Sequence, residues 1–433
     1  MGTEVRYWPL GLLVSLFFLW GAANNLNDIL IKQFKKAFTL GDMQASLVQS
    51  AFYLGYFIGA LPAARLARAW GFRVAIITGL CLFSLGSVLF FPVSRHGGTY
   101  IGLLVCLYLI AFGLAFLESS ANPWIVLMGD SWKPGSGTRA LNFAQAFNPL
   151  GSIAGILVGR LCILDGREPP ASAAAALPEY REHEAALVGL PYVVLGVVVA
   201  AVACAFGLTR FPSISEDRPP GSELTVSRLC TTTARLCRSG GFAQGLLAQF
   251  AYVGAQVCAW SFIIRLVQEE IPGTAEQRAA DFVLFGLIIF VGGRFVASAL
   301  LHVVSESKLL CAYAALACTT CIVIALAGGK LSVVAVCLTS FFMSMMFPTI
   351  FGLVLSPLAR EDTEVGSALL VMCVVGGAVL TPIMGVVSDA SSVAVSYLVP
   401  ACCFLIVMSY ALQHSLGRFD KGTGESKPLL GRP

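Results

Sequence analysis

The chain has 433 residues, of which 57% are hydrophobic and only 12% are charged, and its formal net charge is +4. An ordinary soluble domain carries about 25% charged residues, so this composition excludes a soluble enzyme, a disordered scaffold and a disulfide-rich secreted module. The small net charge also argues against nucleic-acid binding. One membrane-spanning helix needs about 20 apolar residues, which leaves room for about twelve such helices.

Twelve long apolar segments follow one another along the chain. Runs of this length predict helices, because a spanning segment must satisfy its own backbone hydrogen bonds in lipid. The first segment has no small-residue cleavage site and is too long for a cleaved signal peptide. The predicted spans are 7–27, 43–64, 74–94, 96–117, 140–159, 185–209, 239–264, 282–305, 309–329, 331–359, 365–388 and 390–419.

A polar stretch with prolines and mixed charges separates six predicted spans from six. We therefore expect an N-terminal six-helix bundle at 1–209, a cytoplasmic linker at 210–238, a C-terminal six-helix bundle at 239–419 and a cytoplasmic tail at 420–433. With both termini placed in the cytoplasm, most Lys and Arg residues fall in cytoplasmic connections, as the positive-inside rule requires.

The two halves resemble each other weakly in sequence. A shift of 234 positions places Gly11 on Gly245, and a shift of 225 places Pro123 on Pro348 and Gly151 on Gly376. Near-constant spacing of this kind indicates duplication, with the two halves in parallel orientation.

Polar side chains cluster near the outer end of the first predicted helix. Asn24 and Asp28 are four residues apart and share a helix face, and Asn25 is adjacent. Carboxylate and amide groups can bind the vicinal hydroxyls of a sugar, and Trp20 could stack on its apolar face. The alternative is that Asp28 only caps the helix end and is solvated.

Glu118 lies within the fourth apolar stretch, far from either end. Burial of a carboxyl group disfavours its charged form, which makes Glu118 a candidate reversible proton carrier. The alternative is a structural glutamate that is permanently protonated or bonded to a serine. Pro123 follows one turn later, and we expect it to loosen the helix and free backbone carbonyls there.

The fifth span carries three amides on one broad face, namely Asn142, Gln145 and Asn148. Amides are costly in lipid unless they contact a solute or another helix, so they line a binding site or hold helices together. The spacing of Gly151 and Gly155 is typical of close helix packing.

The second half has a polar and aromatic stripe on its first helix and one cation inside a span. The stripe is Gln249, Tyr252, Gln256 and Trp260. The cation is Arg294, which either pairs across the bundle or contacts the substrate. The sequence predicts membrane-embedded carboxylates only in the first half, so proton chemistry is expected there.

Motifs for catalysis, metals and nucleotides are lacking. The sequence has no HExxH, no Walker motif and no plausible catalytic triad, and its 14 Cys show no zinc-ligand spacing with the 4 His. We therefore expect neither an enzyme nor a metal or cofactor site, and no nucleotide-driven pump.

Several stretches together resemble the major facilitator superfamily and, within it, the fucose–galactose–glucose proton symporter family, closest to its fucose-transporting members. They span nearly the whole chain: SLFFLWGAANNLNDIL, QSAFYLGYFIGALPA, ESSANPW, LNFAQAFNPLG, LAQFAYVGAQVCAWSFIIR, GRF, FPTIF and TPIMGVVSDA. The resemblance implies an all-α membrane protein of twelve transmembrane helices, with two six-helix bundles around a central cavity. It also implies symport of a sugar and a proton by alternating access.

The resemblance assigns roles to particular residues. It implies that Asp28 and Glu118 are the acidic coupling sites, with H⁺ as the coupling ion. The cavity residues that it implies are Asp28, Trp20, Asn24, Asn25, Gln145, Asn148, Trp260, Phe290 and Arg294. The chain departs from the family pattern at Phe347, where a Tyr precedes the helix proline, and from the superfamily pattern at Ala63, where an Asp usually takes part in an ion pair.

The sequence leaves other functions and locations open. The functional alternatives are an uncoupled facilitator, a sodium-coupled sugar transporter, an exporter of another small polar solute, and a transport-dead nutrient sensor. Glu425, Leu429 and Leu430 resemble an acidic dileucine signal for a trafficking adaptor. The expected location is the plasma membrane, or endosomes and lysosomes if that signal is used.

Overall fold

The computed structural model describes residues 7–37, 42–95, 100–162, 177–211 and 225–417. These residues form α-helices, one short 3-10 helix and the turns between them, and no strand occurs among them. The dileucine residues Glu425, Leu429 and Leu430 lie outside this part of the chain.

Seven helices make up the first half, and they pack mainly against one another. They are α1 (Tyr7–Ala37), α2 (Asp42–Trp70), α3 (Phe72–Arg95), α4 (Tyr100–Trp132), α5 (Gly137–Gln145), α6 (Asn148–Cys162) and α7 (Leu177–Leu208). α5 and α6 together form one broken span, and α1 packs along α6 while α3 packs between α4 and α7.

The second half follows α8 (Val226–Arg238), which lies within the expected linker. Its helices are α9 (Gly240–Ser261), α10 (Ile263–Glu270), α11 (Glu276–Leu300), α12 (Glu306–Ala327), α13 (Gly329–Met343), α14 (Met346–Leu355), α15 (Thr363–Met372), α16 (Gly376–Ala390), α17 (Val393–Ser396) and α18 (Leu398–Ser415). A 3-10 turn at Cys373–Val375 joins α15 to α16.

The apolar helices account for the predicted spans. Among the described residues, nine helical segments are long and apolar enough to cross a membrane, and α9 with α10, bent by 46°, makes a tenth. α1, with the shorter apolar stretch Pro9–Asn24, and α2 lie at the first two predicted spans. The second part of the expected linker is helical because Leu229 and Leu236, seven residues apart, lie on one face, and Leu236 is buried.

In each half, a glycine allows two helices to pack closely, and the two glycines occupy corresponding positions of the predicted repeat. A Cβ atom at Gly151 of α6 would lie 1.8 Å from the Phe18 carbonyl oxygen of α1. A Cβ atom at Gly376 of α16 would lie 2.2 Å from the Phe250 carbonyl oxygen of α9. Glycines at corresponding positions therefore allow the same close helix contact in each half. The close packing predicted from Gly151 and Gly155 is confirmed.

The two halves meet at the end of the bundle where α2 turns into α3 and α14 connects to α15; we call this the closed end. Arg68 of α2 lies 3.8 Å from the carboxylate of Glu364 in α15, and it also bonds to the Glu361 carbonyl. The expectation that carboxylates are buried only in the first half is wrong, because Glu364 is fully buried at this end. Arg68 therefore has a carboxylate partner at this end, Glu364. Ala63, at the position where the superfamily usually has an Asp, offers no carboxylate.

Two more ion pairs hold the closed end. Arg139 lies 3.7 Å from Glu306, which begins α12. Arg235 of α8 lies 2.5 Å from Asp362, which is buried next to Glu364. The linker helix is therefore tied to the same corner of the second half as α2.

A backbone carbonyl freed by proline adds an uncharged contact. α4 runs unbroken through Pro123, which has no N–H to offer to the Ser119 carbonyl. The Ser367 hydroxyl of α15 donates to that carbonyl at 2.8 Å. Freed carbonyls were predicted here, and this one accepts a hydrogen bond from the other half.

Candidate functional site

A cavity of about 250 Å³ lies between the two halves. It is lined by every proposed site residue whose side chain the structure describes: Trp20, Asn24, Glu118, Gln145, Asn148, Trp260, Phe290 and Arg294. Asn25 and Asp28 belong to α1, but their side chains are outside the described part of the structure.

Polar atoms without partners concentrate on the first-half wall of this cavity. They are the indole nitrogen of Trp20, the amide oxygen of Asn24, the hydroxyl of Tyr56 and both carboxylate oxygens of Glu118; none has a hydrogen-bond partner among the described residues. A buried polar group without a partner costs about 1–3 kcal/mol. The cluster is therefore suited to a ligand that both donates and accepts hydrogen bonds.

Glu118 is the carboxyl group of this cavity wall. It is 1% exposed and sits on α4, which packs against α2 and α3. No described Lys or Arg forms an ion pair with it. An ionised carboxylate at this place would therefore have no described cation to balance its charge.

Gln145 connects the two halves at the break between α5 and α6. Its side-chain nitrogen donates to Asn122 of α4 at 3.0 Å. Its side-chain oxygen and backbone carbonyl both accept from Arg294, at 3.2 and 2.5 Å. The backbone carbonyl is available because Pro149, four residues later, has no N–H to complete the helical bond.

Arg294 of α11 is buried, and two residues, Gln145 and Phe290, fix its guanidinium. Besides both oxygens of Gln145, it lies 4.9 Å from the Phe290 ring centroid. Phe290 in turn meets Trp260 edge to face at 5.0 Å. The sequence left pairing and substrate contact open for Arg294; the structure shows the pairing across the bundle, while its Nε has no partner among the described residues.

Asn142, the first of the three amides, serves a different purpose. It donates to the Thr349 hydroxyl of α14 at 3.1 Å and lies beside the cavity without lining it. The helix-to-helix interpretation therefore holds for Asn142 and also for Gln145, which in addition lines the cavity together with Asn148.

Sequence reasoning about polar groups in helices missed part of the cavity wall. Phe52, Tyr53 and Tyr56 of α2 line it. Tyr53 and Tyr56 are three residues apart on one face, and this spacing is the only signal that the sequence offers. Aromatic residues are so common in membrane helices that the spacing alone did not distinguish them.

Comparison with known proteins decides the family. The sequence model of the Major Facilitator Superfamily matches residues 12–382. The chain belongs to the major facilitator superfamily. The expected fold, with twelve transmembrane helices in two six-helix bundles around a central cavity, is confirmed, and the protein is a multi-pass integral membrane protein of a transporter family.

Similar curated proteins are sugar carriers. The chain is 40% identical over 410 residues to the L-fucose-proton symporter of Escherichia coli strain K12, covering 93% of this chain and 92% of that one. It is 35% identical to the L-fucose-proton symporter of Haemophilus influenzae, covering 94% and 96%. It is 31% identical to a glucose/galactose transporter of Brucella abortus, covering 92% of each.

Solved structures of superfamily members have a similar fold. The crystal structure of the superfamily transporter FucP in the outward conformation matches with a TM-score of 0.84 and 40% identity, covering 93% of this chain and 98% of that one. The proton:xylose symporter XylE matches with a TM-score of 0.65 at 12% identity, which shows the fold alone.

Proposed function

We propose that this protein is a proton-coupled sugar symporter that carries L-fucose, or a related hexose or pentose, by alternating access. The observation that carries the proposal is the set of unpartnered buried polar atoms on the cavity wall, at Trp20, Asn24, Tyr56 and Glu118. A sugar carries several hydroxyls, each of which can donate and accept, so it is suited to satisfy these groups together. The similarity to L-fucose-proton symporters supports this substrate class.

The cavity offers the two kinds of surface that a sugar needs. Indole rings at Trp20 and Trp260 and the ring of Phe290 suit the apolar face of a pyranose. Amides at Asn24, Gln145 and Asn148 suit its hydroxyls, and Arg294 Nε has a hydrogen left to donate. We assign Asn25 and Asp28 to the same binding surface from the sequence.

Glu118 is the proposed proton-coupling group, together with Asp28. With Glu118 ionised, closure around the sugar would enclose an unpaired charge, so the sugar-loaded carrier resists closing. Protonation removes that charge and permits closure around the sugar. Release of sugar and proton on the other side then resets the carrier.

We place the closed end, with its ion pairs between α2 and α15, on the cytoplasmic side. The excess of Lys and Arg in these connections supports this orientation, with both termini cytoplasmic. The similarity to FucP in the outward conformation supports the same arrangement. The carrier would then receive sugar from outside, driven by inward proton flow.

The remaining assignments follow from this role. The protein needs no cofactor beyond H⁺ and catalyses no covalent reaction. Its partners are the sugar, protons and the lipid bilayer, and we place it in the plasma membrane. A trafficking adaptor at Glu425, Leu429 and Leu430 rests on the sequence alone.

The test is sugar-induced proton movement in proteoliposomes. Adding L-fucose to wild-type vesicles is expected to make the external medium more alkaline, and D-arabinose, galactose and glucose rank the preference. Sugar entry without any pH change would indicate an uncoupled facilitator. A requirement for sodium would indicate sodium coupling, and transport only of other solutes would refute the sugar assignment.

A further inference from the structure

The cavity has two chemically different walls. Its first-half wall carries the unpartnered polar atoms of Trp20, Asn24, Tyr56 and Glu118. Its second-half wall is built mainly from apolar side chains, which include Val253, Val257, Trp260, Leu287, Phe290 and Phe347. A bound solute therefore meets hydrogen-bonding groups on one side and hydrocarbon on the other.

Two polar groups of the second-half wall are already bonded to protein. The indole nitrogen of Trp260 donates to the Ser340 hydroxyl of α13 at 3.3 Å, so the ring presents its apolar surface to a solute. Nη1 of Arg294 is committed to Gln145. A guanidinium also has no lone pair, so it cannot accept the hydrogen of a solute hydroxyl.

Phe347 of α14 lies where this apolar wall approaches the first half. Two residues further along α14, the Thr349 hydroxyl accepts a hydrogen bond from Asn142 of α5. The Phe347 ring stacks on the ring of Phe351 at 5.9 Å and lies 6.4 Å from the ring of Tyr252. These contacts hold the Phe347 ring in place at the edge of the cavity.

Hydrogen-bond acceptors lie away from Phe347 on this wall. Tyr252, which contacts Phe347, is fully buried, and its hydroxyl donates to the Met343 carbonyl at 2.9 Å. Among the described side chains that line this wall, those that can accept are Gln256 and Ser261. They lie about one turn and more than two turns further along α9 than Tyr252. A sugar hydroxyl docked against the Phe347 ring would therefore lose its bonds to water without replacement.

A 6-deoxyhexose has the same division into polar and apolar parts as the cavity. Its hydroxyls occupy the ring from C1 to C4, and a methyl group stands on C5. We propose that the second-half wall, with Phe347 as its specificity-determining residue, makes the carrier prefer sugars that have no hydroxyl on C6. The methyl group packs against the Phe347 ring while the hydroxyls bind the first-half wall. The inference rests on the proposed function and adds a rule for choosing among its candidate sugars.

The experiment compares sugars that differ only at C6. L-galactose is L-fucose with a hydroxyl on C6, and D-galactose stands in the same relation to D-fucose. Sugar counterflow in proteoliposomes gives the KM for each sugar. Wild type is expected to show a KM about tenfold lower for the 6-deoxy member of the pair that it prefers, as one unpaired hydroxyl in the bound state requires.

Phe347→Tyr should reduce this KM ratio to about twofold, because the new hydroxyl can pair with the C6 hydroxyl while the ring keeps its contact with Phe351. Phe347→Leu keeps the wall apolar, so its KM ratio should stay near that of wild type even though both KM values rise. Phe285→Tyr is the matched control, since it makes the same chemical change at a side chain that is 52% exposed and does not line the cavity. Its KM ratio should equal that of wild type.

The KM ratio separates selectivity from packing. A merely structural role for Phe347 would change both KM values by the same factor, so an unchanged ratio in Phe347→Tyr would refute its role in specificity. Equal KM values for both members of the pair in a wild type that transports them would refute the selective wall while leaving the proposed function intact. If wild type shows no counterflow of any sugar, the proposed function falls and this inference falls with it.

Discussion

Arg294 donates to the one backbone carbonyl in α5 that proline leaves without a helical partner, that of Gln145. The two residues come from opposite halves of the molecule. Pro149 creates the acceptor, the break between α5 and α6 exposes it to the cavity, and Arg294 reaches it from α11. Gln145 thus both lines the substrate-sized cavity and bonds to the other half of the molecule.

Pro149→Ala should weaken this bond between the halves. Alanine supplies the missing N–H, which competes with Arg294 for the Gln145 carbonyl. A hydrogen bond of this kind contributes about 1 kcal/mol, so the ratio of closed to open arrangements should change about fivefold. Distances between spin labels placed on the two halves measure that ratio.

Pro191→Ala is the control for this variant. Pro191 also lies inside a helix, α7, which contacts helices of its own half. It should leave the label distances unchanged. An unchanged distribution in Pro149→Ala as well would show that the freed carbonyl does not matter.

Arg294→Lys should weaken sugar binding although it keeps the positive charge. Both bonds to Gln145 come from one guanidinium nitrogen, Nη1, while the guanidinium plane lies over the Phe290 ring. Lysine lacks that plane and the additional N–H groups. We expect the KM for sugar to rise about tenfold, which corresponds to about 1.4 kcal/mol. Arg265→Lys is the matched control, because Arg265 lies 5.5 Å from the Phe262 ring and does not line the cavity. Equal KM values for the two variants would contradict the role of the guanidinium plane of Arg294.

The fold could be read from the sequence, and so could several polar groups of the cavity, although Tyr53 and Tyr56 were missed. Lipid tolerates few polar side chains, so each one inside an apolar run stands out, as Glu118 and Arg294 do. The partners of Arg294 could not be predicted in the same way. They depend on a backbone carbonyl, which has no signature of its own beyond the proline four residues later.

Glu364→Gln should open the closed end. The Arg68–Glu364 pair is buried on the glutamate side, and removing one partner of a buried ion pair costs about 3 kcal/mol. A cysteine introduced at Thr138, which packs against Gly352 at this end, should then react faster with a thiol reagent. Mass spectrometry of that peptide separates it from the native cysteines.

Glu361→Gln is the control for this loss of charge. Its carboxylate also faces Arg68, at 3.9 Å, but its side chain is 85% exposed. Exposed ion pairs contribute little, so the reactivity at position 138 should be that of wild type. Equal effects of the two variants would contradict the importance of burial.

Sequence reasoning failed at Glu364 for a physical reason. The residue lies at the boundary of an apolar run, where a carboxylate is normally solvated. It is buried because the other half of the molecule covers it and brings Arg68 with it. Contacts between distant segments of this kind have no signal in a single sequence.

Gly151→Ala and Gly376→Ala should both destabilise the protein, each in its own half. A methyl group at either position meets a backbone carbonyl, which cannot move aside as a side chain can. Overpacking costs about 1–3 kcal/mol, or more where backbone must shift. Gly11→Ala is the control, because nothing lies within 4 Å of its added Cβ; melting of the detergent-solubilised protein should be lower only for the first two variants.

The most direct test of the proposed mechanism compares wild type with Glu118→Gln in the same proteoliposome preparation. Wild type should accumulate L-fucose, or the preferred sugar, against its gradient when the outside is acidic. Glu118→Gln should still exchange labelled for unlabelled sugar but should not accumulate it. Accumulation by Glu118→Gln in the same pH gradient would contradict the assignment of Glu118 as the group that couples the proton to the sugar.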